Sequence, residues 1–179
     1  MNKYQKASVF LALGLYLPLA YQLLTHQVTQ NLATWVLWVF LDAIAVASMF
    51  VQKGNFQLPT AYVAGGTSIV LCIATTNMWT WTIYETIVTC MVAVCITGWY
   101  LSGPRLATIL STSAMALATI PQLKDVWQDP TTAPTLVYVG YTLANIFSTV
   151  GGKNWSIEER FYPSVCTLLC ILIVMFSLR

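Results

Sequence analysis

Two stretches of the chain correspond at an offset of 103 residues: PLAYQLLTHQVTQNLATWVLWVFLD, from Pro18 to Asp42, and PQLKDVWQDPTTAPTLVYVGYTLAN, from Pro121 to Asn145. In each stretch a proline precedes an acidic or amide side chain by 24 positions. Membrane chains that are built twice from one unit usually place their binding site between the two copies. The correspondence therefore predicts a site to which both stretches contribute.

The composition of the 179-residue chain is that of an integral membrane protein. Hydrophobic residues make up 58% of it and charged residues only 8%, with a mean hydropathy of +0.70. A soluble domain carries roughly 25% charged residues, so this chain has too few charges to cover a globule in water. The net charge of +2 is spread along the chain, so no nucleic-acid partner is expected.

Seven apolar runs are predicted to be transmembrane helices, because a span needs roughly 17–25 largely apolar residues. They cover residues 7–24, 33–51, 59–76, 83–101, 105–122, 134–150 and 162–178. The offset of 103 maps the first three runs onto the last three and leaves the fourth without a counterpart. The predicted fold is an all-α integral membrane protein, with seven helices arranged as two parallel three-helix repeats joined by a linker helix (3+1+3).

This arrangement divides the chain into a first repeat at 1–76, a linker-helix region at 77–103 and a second repeat at 104–179. Aromatic residues at the third connection are expected to lie among the lipid headgroups, namely Trp79, Trp81 and Tyr84. Six Lys or Arg residues fall on the N-terminal side of the predicted bundle and two on the other side. Since positive residues favour the cytoplasmic side, the N-terminus is predicted to be cytoplasmic, in a plasma or inner membrane.

Asp42 and Asn145 are the candidate polar residues inside the membrane. A charged side chain at the bilayer centre costs about 2.5–3.5 kcal/mol on insertion scales and usually faces a cavity or a partner. We expect Asp42, in the middle of the second helix, to contact substrate or to carry a coupling proton. The alternative is structural: a protonated Asp42 and the amide of Asn145 would then hold neighbouring helices together.

An aromatic residue lies four positions before each polar residue: Trp38 precedes Asp42, and Tyr141 precedes Asn145. Residues four apart share one face of a helix. Because an aromatic surface beside a hydrogen-bonding group suits a small polar solute, these four residues are predicted to form the substrate site. The alternative is that both rings pack in the core or face lipid.

Pro18 and Pro121 fall near the ends of the first and fifth predicted helices. A proline removes a backbone hydrogen bond and kinks a helix, so this pair is predicted to provide hinges for alternating access. Ordinary helix termination is the alternative. Trp35 and Tyr138 correspond at the same offset nearer the membrane surface, and we expect them to be headgroup or gate residues.

The second stretch carries a recognisable motif. A proline–glutamine pair, Pro121 and Gln122, is followed by a polar connection at 124–132 and by a helix that contains Asn145. This pattern resembles the PQ-loop superfamily, which includes SWEET-type sugar transporters, cystinosin-like amino-acid exporters and KDEL receptors. In the first stretch leucine follows the proline, so the pair is degenerate there.

The resemblance covers nearly the whole chain by architecture and implies the same 3+1+3 plan. In relatives of the cystinosin kind, an Asp or Asn in the helix after the PQ loop lies in a central cavity. The resemblance therefore implies pocket roles for Asp42 and Asn145, and a hinge motif at Pro18, Pro121 and Gln122. Eukaryotic members generally place the N-terminus outside the cytosol, which is opposite to the side that the charge count favours.

The predicted function is transport of a small polar solute by alternating access, with Asp42 available for proton coupling. The solute would be sugar-like or amino-acid-like. The other predicted partners of the protein are the lipid bilayer and H⁺. The main alternative is a non-transporting receptor or scaffold that binds its ligand in the same cavity. The sequence contains no complete catalytic set and no metal-ligand spacing, so no enzyme activity, cofactor or metal is predicted. The sequence leaves the solute and the oligomeric state open.

Overall fold

The computed structural model describes residues 1–28, 30–75 and 81–179, which form helices joined by short connections, with no strand among them. The helices are α1 (Lys3–Leu24), α2 (Leu32–Val51), α3 (Gln57–Ala74), α4 (Ile83–Ser102), α5 (Pro104–Ala118), α6 (Ile120–Gln128), α7 (Thr135–Val150) and α8 (Tyr162–Ser177). A 3₁₀ turn (Pro130–Thr132) precedes α7, and a π-helical turn (Ile157–Phe161) leads into α8. The prediction of an all-α chain is confirmed. Trp79 and the predicted boundary between residues 76 and 77 lie outside the described residues.

Six helical stretches in the described part of the chain are long and apolar enough to cross a membrane. They are α1, α2, α3, α4, α5 together with α6, and α8 together with its π-helical turn. The apolar helix α7 has 16 residues and so rises only about 24 Å, less than the roughly 30 Å of a hydrocarbon core. Many large apolar side chains face outward, and Tyr100 and Leu136 are more than 80% exposed. Helix lengths and surface composition therefore fit a membrane protein.

Polar side chains fix the points at which several helices begin. Asn2 and Gln5 cap each other reciprocally at the start of α1, each side chain accepting a hydrogen bond from the other's backbone N–H at 3.0 Å. Thr82 and Glu85 form the same capping box at the start of α4, and the Asn31 side chain caps α2. These bonds satisfy backbone N–H groups that the first turn of a helix leaves unpaired. The helix entries are thus defined by the local sequence.

The helix contacts run in a closed circuit. α3 packs against both α1 and α2, while α8 packs against α7 and against α5 and α6. The circuit is completed by α1 against α7 and by α2 against α5, and α4 packs against α2 and α5. A Cβ atom at Gly65 would overlap the ring of Tyr16, so the glycine permits the close approach of α3 to α1.

The two candidate hinge prolines lie in different settings. Pro18 is inside α1, which continues beyond it. Pro121 is the second residue of α6, directly after the joint at Thr119 that separates α6 from α5. The predicted connection at 124–132 is wrong in its first half, because α6 continues to Gln128. The polar residues in the second half of α6 give no hydropathy signal, which explains the error.

Candidate functional site

A cavity of about 110 Å³, here called the central cavity, is lined by residues of α1, α2, α3, α5, α7 and α8. Its polar and aromatic lining residues are Tyr16, Trp35, Trp38, Asp42, Tyr62, Thr119, Tyr138, Tyr141, Asn145 and Tyr162. The four residues predicted to form the substrate site, Trp38, Asp42, Tyr141 and Asn145, all lie on its wall. Pockets for drug-sized ligands measure roughly 300–1,000 Å³, so this cavity favours a small solute.

Asp42 lies in the middle of α2 and lines the central cavity. Its side chain is buried, with 7% of the residue exposed, and Tyr162 on α8 is 1% exposed. The Tyr162 hydroxyl donates a hydrogen bond to Asp42 Oδ1 at 2.5 Å. A hydrogen bond of this kind offsets part of the cost of burying a carboxyl group. One oxygen of Asp42 is therefore held by a helix from the second half of the chain.

Asn145 occupies the corresponding position on α7 and is fully buried. Its Nδ2 atom donates to the Tyr62 hydroxyl at 2.7 Å and to the Tyr141 backbone carbonyl at 2.8 Å. Its Oδ1 atom has no hydrogen-bond partner among the described residues. A buried amide oxygen without a partner is costly, so this atom marks an unused acceptor in the cavity.

Aromatic rings form most of the remaining wall. The Tyr141 ring lies 5.6 Å from Tyr16 and 5.7 Å from Tyr62, measured between centroids, and the Tyr62 and Tyr162 rings are 6.4 Å apart. These separations are typical of interacting aromatic pairs. The Trp38 indole N–H has no hydrogen-bond partner among the described residues. The cavity thus combines π surfaces with the Trp38 N–H, the Asn145 Oδ1 atom and the Tyr141 hydroxyl, none of which has a hydrogen-bond partner among the described residues.

Three of the tyrosines on the cavity wall were not predicted from the sequence, namely Tyr16, Tyr62 and Tyr162. Each lies in an apolar run, and nothing nearby distinguishes it from the other six of the nine tyrosines. Their partners are remote in sequence: Tyr162 bonds to a residue 120 positions away and Tyr62 to one 83 positions away. The repeat offset identifies residues that correspond to each other, but not residues that bind each other.

A second pocket of about 470 Å³, here called the vestibule, is lined by the beginnings of α2 and α4 and by α6. The predicted hinge residues Pro121 and Gln122 line the vestibule, and Pro18 lines neither pocket. The charged residues on its wall are Glu85, Lys124, Asp125 and Asp129. Three carboxyl groups therefore face one ammonium group.

Local hydrogen bonds support the acidic character of the vestibule. The Thr131 N–H and hydroxyl donate to Asp129 Oδ1 at 3.0 and 2.7 Å, and these bonds hold the pKa of Asp129 below its usual value. Asp129 therefore remains a carboxylate well below neutral pH. The Glu85 side chain accepts hydrogen bonds at 3.0 Å from the Asn31 amide and the Thr34 hydroxyl.

Trp35 and Tyr138 lie between the central cavity and the vestibule. Both rings line the central cavity, while their hydrogen-bond partners line the vestibule. The Trp35 indole N–H donates to Gln30 Oε1 at 3.0 Å, and the Gln122 amide donates to the Tyr138 hydroxyl. We refer to Trp35, Tyr138, Gln30 and Gln122 as the gate, because their side chains form the partition between the two pockets.

The opposite end of the bundle is closed by a buried network centred on Asn55, which is 1% exposed. Asn55 Nδ2 donates to the Ser148 carbonyl and hydroxyl at 3.0 Å each and to the Glu159 carbonyl at 3.2 Å. Gln5 Nε2 donates to Asn55 Oδ1 at 3.2 Å. We refer to Gln5, Asn55, Ser148 and Glu159 as the latch, because it ties α1 and the α2–α3 connection to α7 and the turn before α8.

The arrangement is a chamber with one carboxyl group on its described wall, the gate residues at one end and the latch at the other. Among the described residues, no group of three His, Cys, Asp or Glu side chains is placed to hold a metal ion. The chain matches no protein-family model, and comparisons with curated proteins and with solved structures likewise find no match.

Proposed function

We propose that the protein transports a small polar solute across a membrane through the central cavity by alternating access. The observation that carries the proposal is the convergence of Trp38, Asp42, Tyr141 and Asn145 on one cavity. They come in equal number from two stretches that correspond at an offset of 103 residues. A solute site at the interface of two repeats is the usual arrangement in secondary transporters.

The helix contacts support the 3+1+3 repeat that belongs to this proposal. α3 packs against α1 and α2, and α8 packs in the same way against α7 and the α5–α6 pair. The contact of α1 with α7 corresponds, at the repeat offset, to the contact of α5 with α2. We take α7 as the seventh span, since local thinning of the bilayer accommodates a short helix at modest cost. The same plan supports kinship with the PQ-loop superfamily.

The unequal ends of the bundle support alternating access. The latch joins the two halves at the N-terminal end, and the gate forms a partition at the other end, next to the vestibule. A conformation that exposes the solute to the N-terminal side requires the latch to separate. Pro18 and the joint before Pro121 are the proposed hinges for this movement, because each interrupts the backbone ladder of a helix.

The proposed orientation places the latch at the cytoplasmic face of a plasma or inner membrane. Its basis is the excess of Lys and Arg on the N-terminal side. The vestibule then faces away from the cytoplasm. Asp42 is the proposed proton-coupling group, because it is the acidic residue on the cavity wall.

Transport is tested by uptake of labelled sugars, amino acids and amines into proteoliposomes with a pH gradient imposed in either direction. We expect saturable uptake of at least one solute, stimulated by one direction of the gradient. Asp42→Asn should abolish the stimulation and preserve the fold. Glu158→Gln, which changes an acid at the latch end, is the matched control and should behave as wild type. Stimulation that survives in Asp42→Asn would refute proton coupling.

A receptor or binding scaffold is the second candidate. The observation that favours it is the latch, which closes the cavity at one end through buried hydrogen bonds. The same proteoliposomes separate the two functions. Saturable solute binding without uptake, in a preparation whose helix content matches the detergent-purified protein, would exclude transport and support the receptor.

A further inference from the structure

We infer that the central cavity takes a small organic cation, such as a quaternary or primary amine, in preference to a sugar or a zwitterionic amino acid. The inference names the solute class of the proposed transport site and so rests on that proposal. Its basis is the charge balance of the cavity wall, the nature of its aromatic surface and the charge of the vestibule.

The charge balance favours a monocation. Asp42 is the one acidic residue on the wall, and the described lining residues include no Lys, Arg or His. An ionised Asp42 facing a cation is neutralised, whereas a neutral solute leaves the buried carboxylate without a counter-charge. A zwitterion brings a carboxylate of its own, for which the wall offers no cationic partner. The charge balance of the wall therefore favours binding of amines over binding of zwitterionic amino acids.

The aromatic surface also favours a cation. Rings of Tyr16, Tyr62 and Tyr141 pack against one another with centroids 5.6–5.7 Å apart and line the cavity together. The faces of such rings attract an ammonium group, and aromatic cages are a recurring solution for binding quaternary amines. A sugar with several hydroxyl groups would meet few free hydrogen-bonding atoms here, namely the Trp38 N–H, the Tyr141 hydroxyl and Asn145 Oδ1 among the described residues.

The hydrogen-bonding atoms without partners on the cavity wall indicate which polar groups a bound cation would carry besides its charge. Asn145 Oδ1 accepts hydrogen bonds and has no partner among the described residues, so an ammonium N–H or a hydroxyl group would satisfy it. The Trp38 N–H would bond to an acceptor such as the oxygen of the same hydroxyl group. A small amine with a hydroxyl group therefore fits this wall better than a purely hydrocarbon amine.

The vestibule supplies independent support. Its wall carries Glu85, Asp125 and Asp129 against Lys124 alone, and it adjoins the gate that leads to the central cavity. An acidic entrance concentrates cations and repels anions near the site. The walls of the vestibule and of the central cavity are thus both acidic.

The test is a binding measurement on the full-length protein in detergent with choline, its uncharged isostere 3,3-dimethylbutan-1-ol, lysine and glucose. A ligand that binds the native state raises the unfolding temperature in a dose-dependent manner. We expect choline to do so and the isostere, lysine and glucose to have at least about tenfold lower affinity, since loss of a buried charge partner is costly. Equal affinity for choline and its isostere would overturn the inference.

Variants of cavity residues test whether choline binds in the central cavity. Asp42→Asn should weaken choline binding at least about tenfold, while Glu158→Gln should leave it unchanged. Asn145→Asp keeps the side-chain size and adds a second carboxyl group, so it should shift preference toward the dication putrescine. That variant keeps the inference testable if Asp42→Asn does not fold. No gain for putrescine in Asn145→Asp would contradict the inference.

Flux measurements separate the inference from the proposed function. Uptake of glucose without binding of choline would refute the solute class and leave transport standing. Binding of choline without uptake of any solute would support the class and refute transport. Binding of neither choline nor putrescine to the wild-type protein would overturn the inference.

Discussion

Asp42 on α2 and Asn145 on α7 occupy corresponding positions in the two halves of the molecule and have different chemistry. Each bonds to a tyrosine from the opposite half: Asp42 accepts from Tyr162 on α8, and Asn145 donates to Tyr62 on α3. The framework is therefore shared between the halves, while the ionisable group is present in one half only. This difference gives a nearly symmetric chamber an ionisable side chain on one side only.

The largest expected effect concerns the packing that brings the halves together. Gly65 faces the ring of Tyr16, whereas Gly140 faces the flexible side chain of Leu15. Gly65→Ala should destabilise the fold by about 3 kcal/mol and Gly140→Ala by about 1 kcal/mol, because a ring in a packed core moves less easily than a leucine methyl group. Thermal unfolding in detergent measures both. A larger loss of stability for Gly140→Ala than for Gly65→Ala would contradict this expectation.

A smaller effect is expected from the two tyrosine hydroxyl groups. Tyr162→Phe removes the donor to the Asp42 carboxyl group and should cost about 2 kcal/mol, in the range for hydrogen bonds to charged groups. Tyr62→Phe removes an acceptor from a neutral amide and should cost about 0.6 kcal/mol, as for average interhelical bonds. The same unfolding assay compares the two variants. Equal losses would indicate that Asp42 is neutral in the folded protein.

The smallest stability effect is expected at the gate. Gln30→Leu removes the acceptor of Trp35 in the first half, and Gln122→Leu removes the donor to Tyr138 in the second half. Each change should alter stability by less than about 1 kcal/mol, since both bonds are neutral. Each should nevertheless increase the rate at which solute enters from the vestibule side, measured by uptake kinetics. Unchanged uptake in both variants would exclude the gate role.

The repeat in the sequence pointed to residues that the structure brings to one cavity. The offset of 103 residues identified Trp38, Asp42, Tyr141 and Asn145, and helical spacing placed each pair on one face. All four line the central cavity. The all-α class followed from composition and run length, which depend on local sequence alone.

The remaining features depend on contacts between segments far apart in the chain. Asn55 lies in a short connection, and its partners Ser148 and Glu159 are 93 and 104 positions away, so no local sequence pattern indicates the latch. α6 was missed beyond Lys124 because its polar residues resemble a loop when only hydropathy is considered. Tertiary contacts and the polar end of a helix are thus the features that hydropathy in a single sequence does not reveal.

The account holds that the two halves share one chamber and that only one half contributes an ionisable group. It is tested most directly by moving the carboxyl group from position 42 to position 145. Choline affinity is measured for wild type, Asp42→Asn and the double variant Asp42→Asn with Asn145→Asp, each with matched helix content. The account predicts loss of binding in the single variant and substantial recovery in the double variant, because the two positions face one cavity. A double variant that binds choline no better than Asp42→Asn would contradict the claim that the two positions face one chamber.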